Sequence, residues 1–128
     1  MAFPKPHVFD IKEQAVSRVC RVLGHPARVR ILMLLQEFDH LNMHEICRML
    51  PLHQATVSAH LRKLRLAGLI DVEVDGLYNT YFLNQKSLSD SRRRVVEYFN
   101  NVIGSNQVEG VGANDWKAEE GLGDLDRT

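Results

Sequence analysis

Much that would mark a secreted, membrane-bound or catalytic protein is scarce in this chain of 128 residues. Cys20 and Cys47 are its two cysteines, too few for a disulfide framework, so free thiols in a reducing compartment are expected. No run of 18 apolar residues occurs, and the start MAFPKPHVFD has no apolar stretch of the kind a secretory signal needs. A soluble cytoplasmic protein with no membrane contact is the expectation. There is no phosphate-cradling glycine loop, no serine elbow and no recognisable acid/base pair. Cys47 near His44 lacks a third orienting group, so no catalytic residue and no enzymatic activity are expected.

An excess of charge is also missing: Lys and Arg number 16, as do Asp and Glu. The balance is uneven along the chain. Residues 1 to 104 hold 14 basic and 10 acidic side chains, whereas residues 105 to 128 hold 2 and 6. A basic body therefore precedes an acidic tail, and for a polyanionic partner the local patch matters more than the total. The deepest gap in acidic charge lies between Glu45 and Asp71, where there is no carboxylate but there are Arg48, Arg62, Lys63 and Arg65.

That gap coincides with a pattern. Met43, Ile46, Cys47 and Leu50 recur at helical spacing, and Pro51 ends this first segment by disfavouring the helical conformation of the residue before it. A second helix is expected from Gln54 to Ala67, with Val57, Leu61, Leu64 and Leu66 for burial. Gln54, Thr56, Ser58, His60, Arg62, Lys63 and Arg65 supply its polar and cationic face, and Gly68 its left-handed cap. Two helices joined by a tight turn, the second cationic, make a helix-turn-helix suited to a major groove of double-stranded DNA.

The surrounding chain reads as a frame for this pair. Residues 1 to 7 are expected to form a flexible arm, 8 to 104 one domain, and 105 to 128, with four glycines and a candidate anchor at Trp116, a disordered acidic tail. Val8 to Leu23 carries an apolar stripe wide enough for a core face and a partner face. Pro26 starts a helix from Ala27 to Gln36 whose buried set is Val29, Ile31, Leu32, Leu34 and Leu35, with Arg28 and Arg30 left for solvent or phosphate. Glu37 to Leu41 reads as a loop, and Asn42 with Glu45 has the spacing of a capping box. Asp71 to Asp75 and Tyr78 to Leu83 flank Gly76 as a two-stranded hairpin. Ser87 or Ser89 caps a last helix from Asp90 to Ile103, with Val95, Phe99, Val102 and Ile103 on one side, expected to meet the first helix across a dimer interface.

The order helix, helix, helix-turn-helix, hairpin, helix is a winged helix. The runs LGHPARVRIL (Leu23 to Leu32), HEICRML, QATVSAHLRKLRLAGLI (Gln54 to Ile70) and DGLYNTYFL (Asp75 to Leu83) resemble the ArsR/SmtB family of bacterial repressors over roughly residues 15 to 100. The resemblance implies a mostly helical homodimer with a small β-hairpin wing, paired recognition helices on an imperfect inverted repeat, and release of DNA by an effector. It places Gln54, Thr56, Ser58 and His60 at base-facing or phosphate-facing positions, with Arg62 and Lys63 adding charge. Gln54 can pair with an adenine edge, and Thr56 or Ser58 with phosphate or base. Thr56 and Ser58 also read as surface or capping residues, and His60 as packed against the turn. His53 stands where the family usually has a capping serine. In the wing, Leu77 stands where an arginine is common, which leaves Tyr78 and Asn79 as contact candidates, with Tyr78 also readable as core.

A sensing site is less evident. Where relatives keep a cysteine pair, this chain has Asn42 and His44, with Cys47 three residues on and His40 and His7 as further ligands, and the last helix has no histidine. His44 and Cys47 have the donor types for Zn²⁺, but a cap, a solvated imidazole and a small core residue account for the same three positions. No metal, cofactor or thiol switch is expected, and the effector is open among an organic molecule, a protein and none. The alternative to a repressor is a winged-helix module for protein interaction, its DNA binding lost or governed by the acidic tail.

Overall fold

A computed structural model of the chain describes residues 8–104. The expected arm and acidic tail, with His7 and Trp116, lie outside the described residues. The elements run α1 (Ile11–Val22), α2 (Pro26–Phe38), β1 (His40–Asn42), α3 (Met43–Met49), α4 (Gln54–Leu66), β2 (Ile70–Asp75), β3 (Tyr78–Leu83) and α5 (Gln85–Ile103). This is a winged helix-turn-helix, mostly helical with one small antiparallel sheet. The chain divides after Val95 into two units, and the packing below belongs to the first.

Each helix is set by a local cap. Asp10 accepts from the Glu13 N–H at 2.7 Å, so α1 starts at Ile11 and leaves the expected Val8 start outside it. Pro26 occupies the first turn of α2, and His25 Nδ1 accepts from the Ala27 N–H at 3.1 Å. Asn42 and Glu45 form the reciprocal capping box of α3, at 2.9 and 3.0 Å. Asn84, rather than Ser87 or Ser89, caps α5: its side-chain oxygen accepts from the Ser87 N–H, and its amide donates to the Asp71 carboxylate, both at 3.0 Å. The last helix therefore begins at Gln85, directly out of the sheet and ahead of the expected Asp90.

The stretch expected to be a loop before α3 contains a strand. His40, Leu41 and Asn42 pair with Phe82, Tyr81 and Thr80, so the sheet has three strands in the order β1-β3-β2 and the expected hairpin is its larger part. Between β2 and β3, Gly76 at φ +60° takes the first position of a two-residue loop, a geometry that suits the mirror-image turns of hairpins.

The core joins α2 (Ile31, Leu35), α3 (Ile46), α4 (Val57, Leu61, Leu64) and the sheet (Leu41, Ile70, Tyr81). Two expected core residues fall outside it. Val29 is exposed on α2, and Leu66, 72% exposed, lies two residues past Leu64 and so off the stripe that Val57, Leu61 and Leu64 define. Beyond Leu66 the chain turns by a Schellman motif: the Gly68 N–H bonds the Arg65 carbonyl at 2.9 Å and the Leu69 N–H the Leu64 carbonyl at 3.1 Å, with Gly68 at φ +79°. Leu64 and Leu69 are both buried beside this turn.

These placements separate two neighbouring leucines by their energetic weight. Leu64→Ala should lower unfolding free energy by about 2–5 kcal/mol, while Leu66→Ala should stay within about 0.5 kcal/mol of the parent in denaturant titrations.

Candidate nucleic-acid interface

The burial of Val57, Leu61 and Leu64 turns one side of α4 into the core and the opposite side to solvent. Gln54, Thr56, Ser58, Arg62 and Lys63 are all exposed, and Arg65 lies beyond them. No acidic residue falls within α4 or in the turn before it. The result is a hydrogen-bonding start followed by cationic charge, with no carboxylate to repel phosphate. His53 holds the N-cap position in extended backbone but makes no side-chain cap bond. The first-turn amides of α4 are thus unclaimed by a side-chain cap, in a region where helix geometry favours an anion.

His60 is the residue that departs from the predicted face. It is 9% exposed, and its ring stacks at a tilt on His25, centroids 4.3 Å apart. Its position six residues after Gln54 and three after Val57 turns it toward the start of α2 rather than toward the polar side. His60 Nε2 and Arg28 Nε are both buried without a hydrogen-bond partner among the described residues. Burial, then the proximity of His25, Arg28 and Lys63, holds the His60 pKa below the usual histidine range. His60 is accordingly neutral near pH 7 and serves to join α4 to α2. Arg28 and Lys63 sit near enough to act on it electrostatically, so positive charge from the start of α2 adjoins that of α4. The sequence leaves Arg28 for solvent or phosphate and gives no sign of the ring pair, because two histidines 35 positions apart carry no local signal.

In the wing, Leu77 is 94% exposed at the loop tip, flanked by the exposed Tyr78 and Asn79. Tyr78 lies outside the core, its ring edge-on to His44 with centroids 6.4 Å apart, and the buried tyrosine of the sheet is Tyr81. Asp71, Glu73 and Asp75 all lie on β2, making that strand the acidic side of the wing.

His44 and Cys47 meet at a groove also lined by Asn42, Arg48 and Tyr78. Asn42 is committed to its capping box. His40 faces its own neighbours, with Nδ1 3.3 Å from the Asp39 carboxylate and its ring 5.1 Å from that of Phe82. Among the described residues no group of three or more His, Cys, Asp or Glu side chains is placed to hold a metal ion. Cys20, exposed, and Cys47, half-buried, are free thiols on different helices.

Residues 25–72, from the cap of α2 into β2, match the model of the arsR family of bacterial regulatory proteins. Over 72 residues the chain is 31% identical to an uncharacterized HTH-type transcriptional regulator of Methanocaldococcus jannaschii, covering 56% of this chain and 81% of that protein. The chain belongs to the ArsR family. A crystal structure of a possible transcriptional regulator for arsenical resistance is similar to it at TM-score 0.59 and 26% identity, over 65% of this chain and 84% of the other. An ArsR-like transcriptional regulator from Rhodococcus sp. RHA1, 18% identical, shares the fold at TM-score 0.60 over 78% of this chain and 97% of its own. This ArsR-family chain is thus a DNA-binding transcription regulator with a winged helix-turn-helix. No helix among its described residues is long and apolar enough to cross a membrane.

The His25–His60 contact sets a pH dependence whose sign is fixed. The depressed His60 pKa means that the unfolded chain takes up a proton first as pH falls through the ordinary histidine value of 6.5, so stability drops on acidification and is restored above it. His60→Gln should flatten the stability profile between about pH 7 and pH 5, read by denaturant midpoints across that range. Independently, His53→Ser should add about 1 kcal/mol by supplying the absent cap oxygen, visible as a raised melting temperature.

Proposed function

We propose that the protein is a repressor that binds an imperfect inverted repeat as a homodimer, α4 of each protomer entering successive major grooves. The observation that carries this is the division of α4 into a buried Val57, Leu61 and Leu64 stripe and an exposed, acid-free Gln54, Thr56, Ser58, Arg62 and Lys63 face. In this reading Gln54 reads a base edge, Thr56 and Ser58 contact base or phosphate, and Arg62, Lys63 and Arg28 neutralise phosphates. The uncapped start of α4 supplies amides to a phosphate. Tyr78 and Asn79 give the wing a neutral contact. His60 takes a supporting role under α4 in place of a direct one.

The dimer is assigned to α1 and α5. Ile11 is 81% exposed on α1, and Val96, Phe99, Val102 and Ile103 are exposed on α5, an arrangement that favours a second apolar surface over solvent. The proposed site is cytoplasmic, and no catalytic step is assigned to it.

Fluorescence anisotropy on a palindromic fragment of the gene's own promoter tests this reading. Gln54→Ala should cost about 1–3 kcal/mol on the specific fragment and narrow the gap to unrelated DNA, whereas Lys63→Ala should weaken all sequences alike and lower the salt slope by about one. Phe99→Asp combined with Val102→Asp should yield monomers in sedimentation and lose the specific complex. No sequence-specific binding at low salt, with or without residues 105 to 128, would overturn the proposal in favour of a protein-interaction module.

A further inference from the structure

A second concavity lies away from α4's polar face. It is a cleft of about 150 Å³ bounded by α1, the segment after α4 and the first half of α5. Its apolar walls are Ala15, Val19 and Val22 of α1 and Leu69, with Ala15 and Leu69 buried. Arg18 of α1 and Arg94 of α5 line the same cleft, and Ser91, one turn before Arg94 on α5, lines it too. Both arginines are exposed, and neither has a hydrogen bond or acidic partner among the described residues. Two unneutralised guanidiniums beside one small cleft offer an anion two cationic hydrogen-bond partners.

The ligand class follows from these three features. Guanidinium forks match the two oxygens of a carboxylate. A hydrophobic cavity of about 150 Å³ is the size that holds a benzene ring. We propose that this cleft binds a small organic acid, a monocyclic aromatic carboxylate of benzoate size, with its ring on Val19, Val22 and Leu69 and its carboxylate on Arg18 and Arg94. Ala67, at the C-cap of α4, also lines the cleft. Such a ligand would touch the end of the recognition helix and both helices assigned to the dimer, which makes it an effector. That regulatory consequence rests on the proposed DNA function, whereas the binding itself does not.

The two are therefore measured separately. Calorimetric titration of the full chain without DNA uses benzoate and salicylate, with benzyl alcohol to supply the ring without charge and inorganic phosphate to supply charge without the ring. The expected result is saturable binding of a carboxylate at one site per chain, at least about tenfold weaker for both controls. Arg18→Gln and Arg94→Gln should each weaken it about tenfold while leaving the melting temperature of the unliganded protein unchanged. Val19→Phe, which fills the cleft, should abolish it. No saturable carboxylate binding, or equal binding by the double arginine variant, overturns the site. Anisotropy on the promoter fragment with and without benzoate then reads the coupling: a shift in DNA affinity that the arginine variants lose supports it, and an unchanged affinity with intact binding overturns the effector role alone.

Discussion

Burial of three residues on α4 sets the geometry on which the candidate DNA-facing surface depends. Val57, Leu61 and Leu64 lie against Ile31 and Leu35 of α2 and Ile46 of α3 in one continuous core. Since side chains on a helix are fixed in angle relative to one another, placing this stripe inward places Gln54, Thr56, Ser58, Arg62 and Lys63 outward without any further contact being needed. The polar face is thus presented by hydrophobic burial, and its own side chains remain uncommitted. Capping at both ends of the neighbouring elements keeps this orientation: the Asn42–Glu45 box fixes the entry to α3, and the Gly68 turn fixes the exit from α4.

The same logic separates what the amino-acid order revealed from what it concealed. The helix pair, the hairpin and the capping box are written in local spacing, and α3 and α4 begin where the pattern places them. The strand at His40–Asn42 is not, since three residues offer no period and its pairing is decided by Tyr81 and its neighbours some 40 positions later. Asn84 was hidden by two serines that look like better caps, because its worth comes from Asp71 across the sheet as much as from its own helix. On the candidate face the residue types were legible, but the inward turn of His60 was not. A histidine at helical spacing from both the polar and the apolar rows has no sequence mark to say which it joins, and its His25 partner decides it.

Charge is distributed with comparable economy. Carboxylates of the helix-turn-helix and wing are placed at a cap, as with Glu45, or along β2, as with Asp71, Glu73 and Asp75. Cations instead occupy the exposed side of α4 (Arg62, Lys63 and Arg65) and the start of α2, where Arg30 is exposed and Arg28 half-buried. The consequence is a protein whose total charge is zero but whose attraction for a polyanion is local, on a face only a few helical turns long.

Asn42 serves two elements at once. It is the last residue of β1, paired with Thr80 in the central strand, and it is also the cap whose side chain starts α3. Sheet and helix therefore share a joint with no intervening residue to absorb rotation. The wing is not a freely hinged flap beside the helices. Its strand β3 pairs with β1, and β1 runs directly into the first turn of α3, so the hairpin is tied to the helix-turn-helix through backbone pairing as well as through the core.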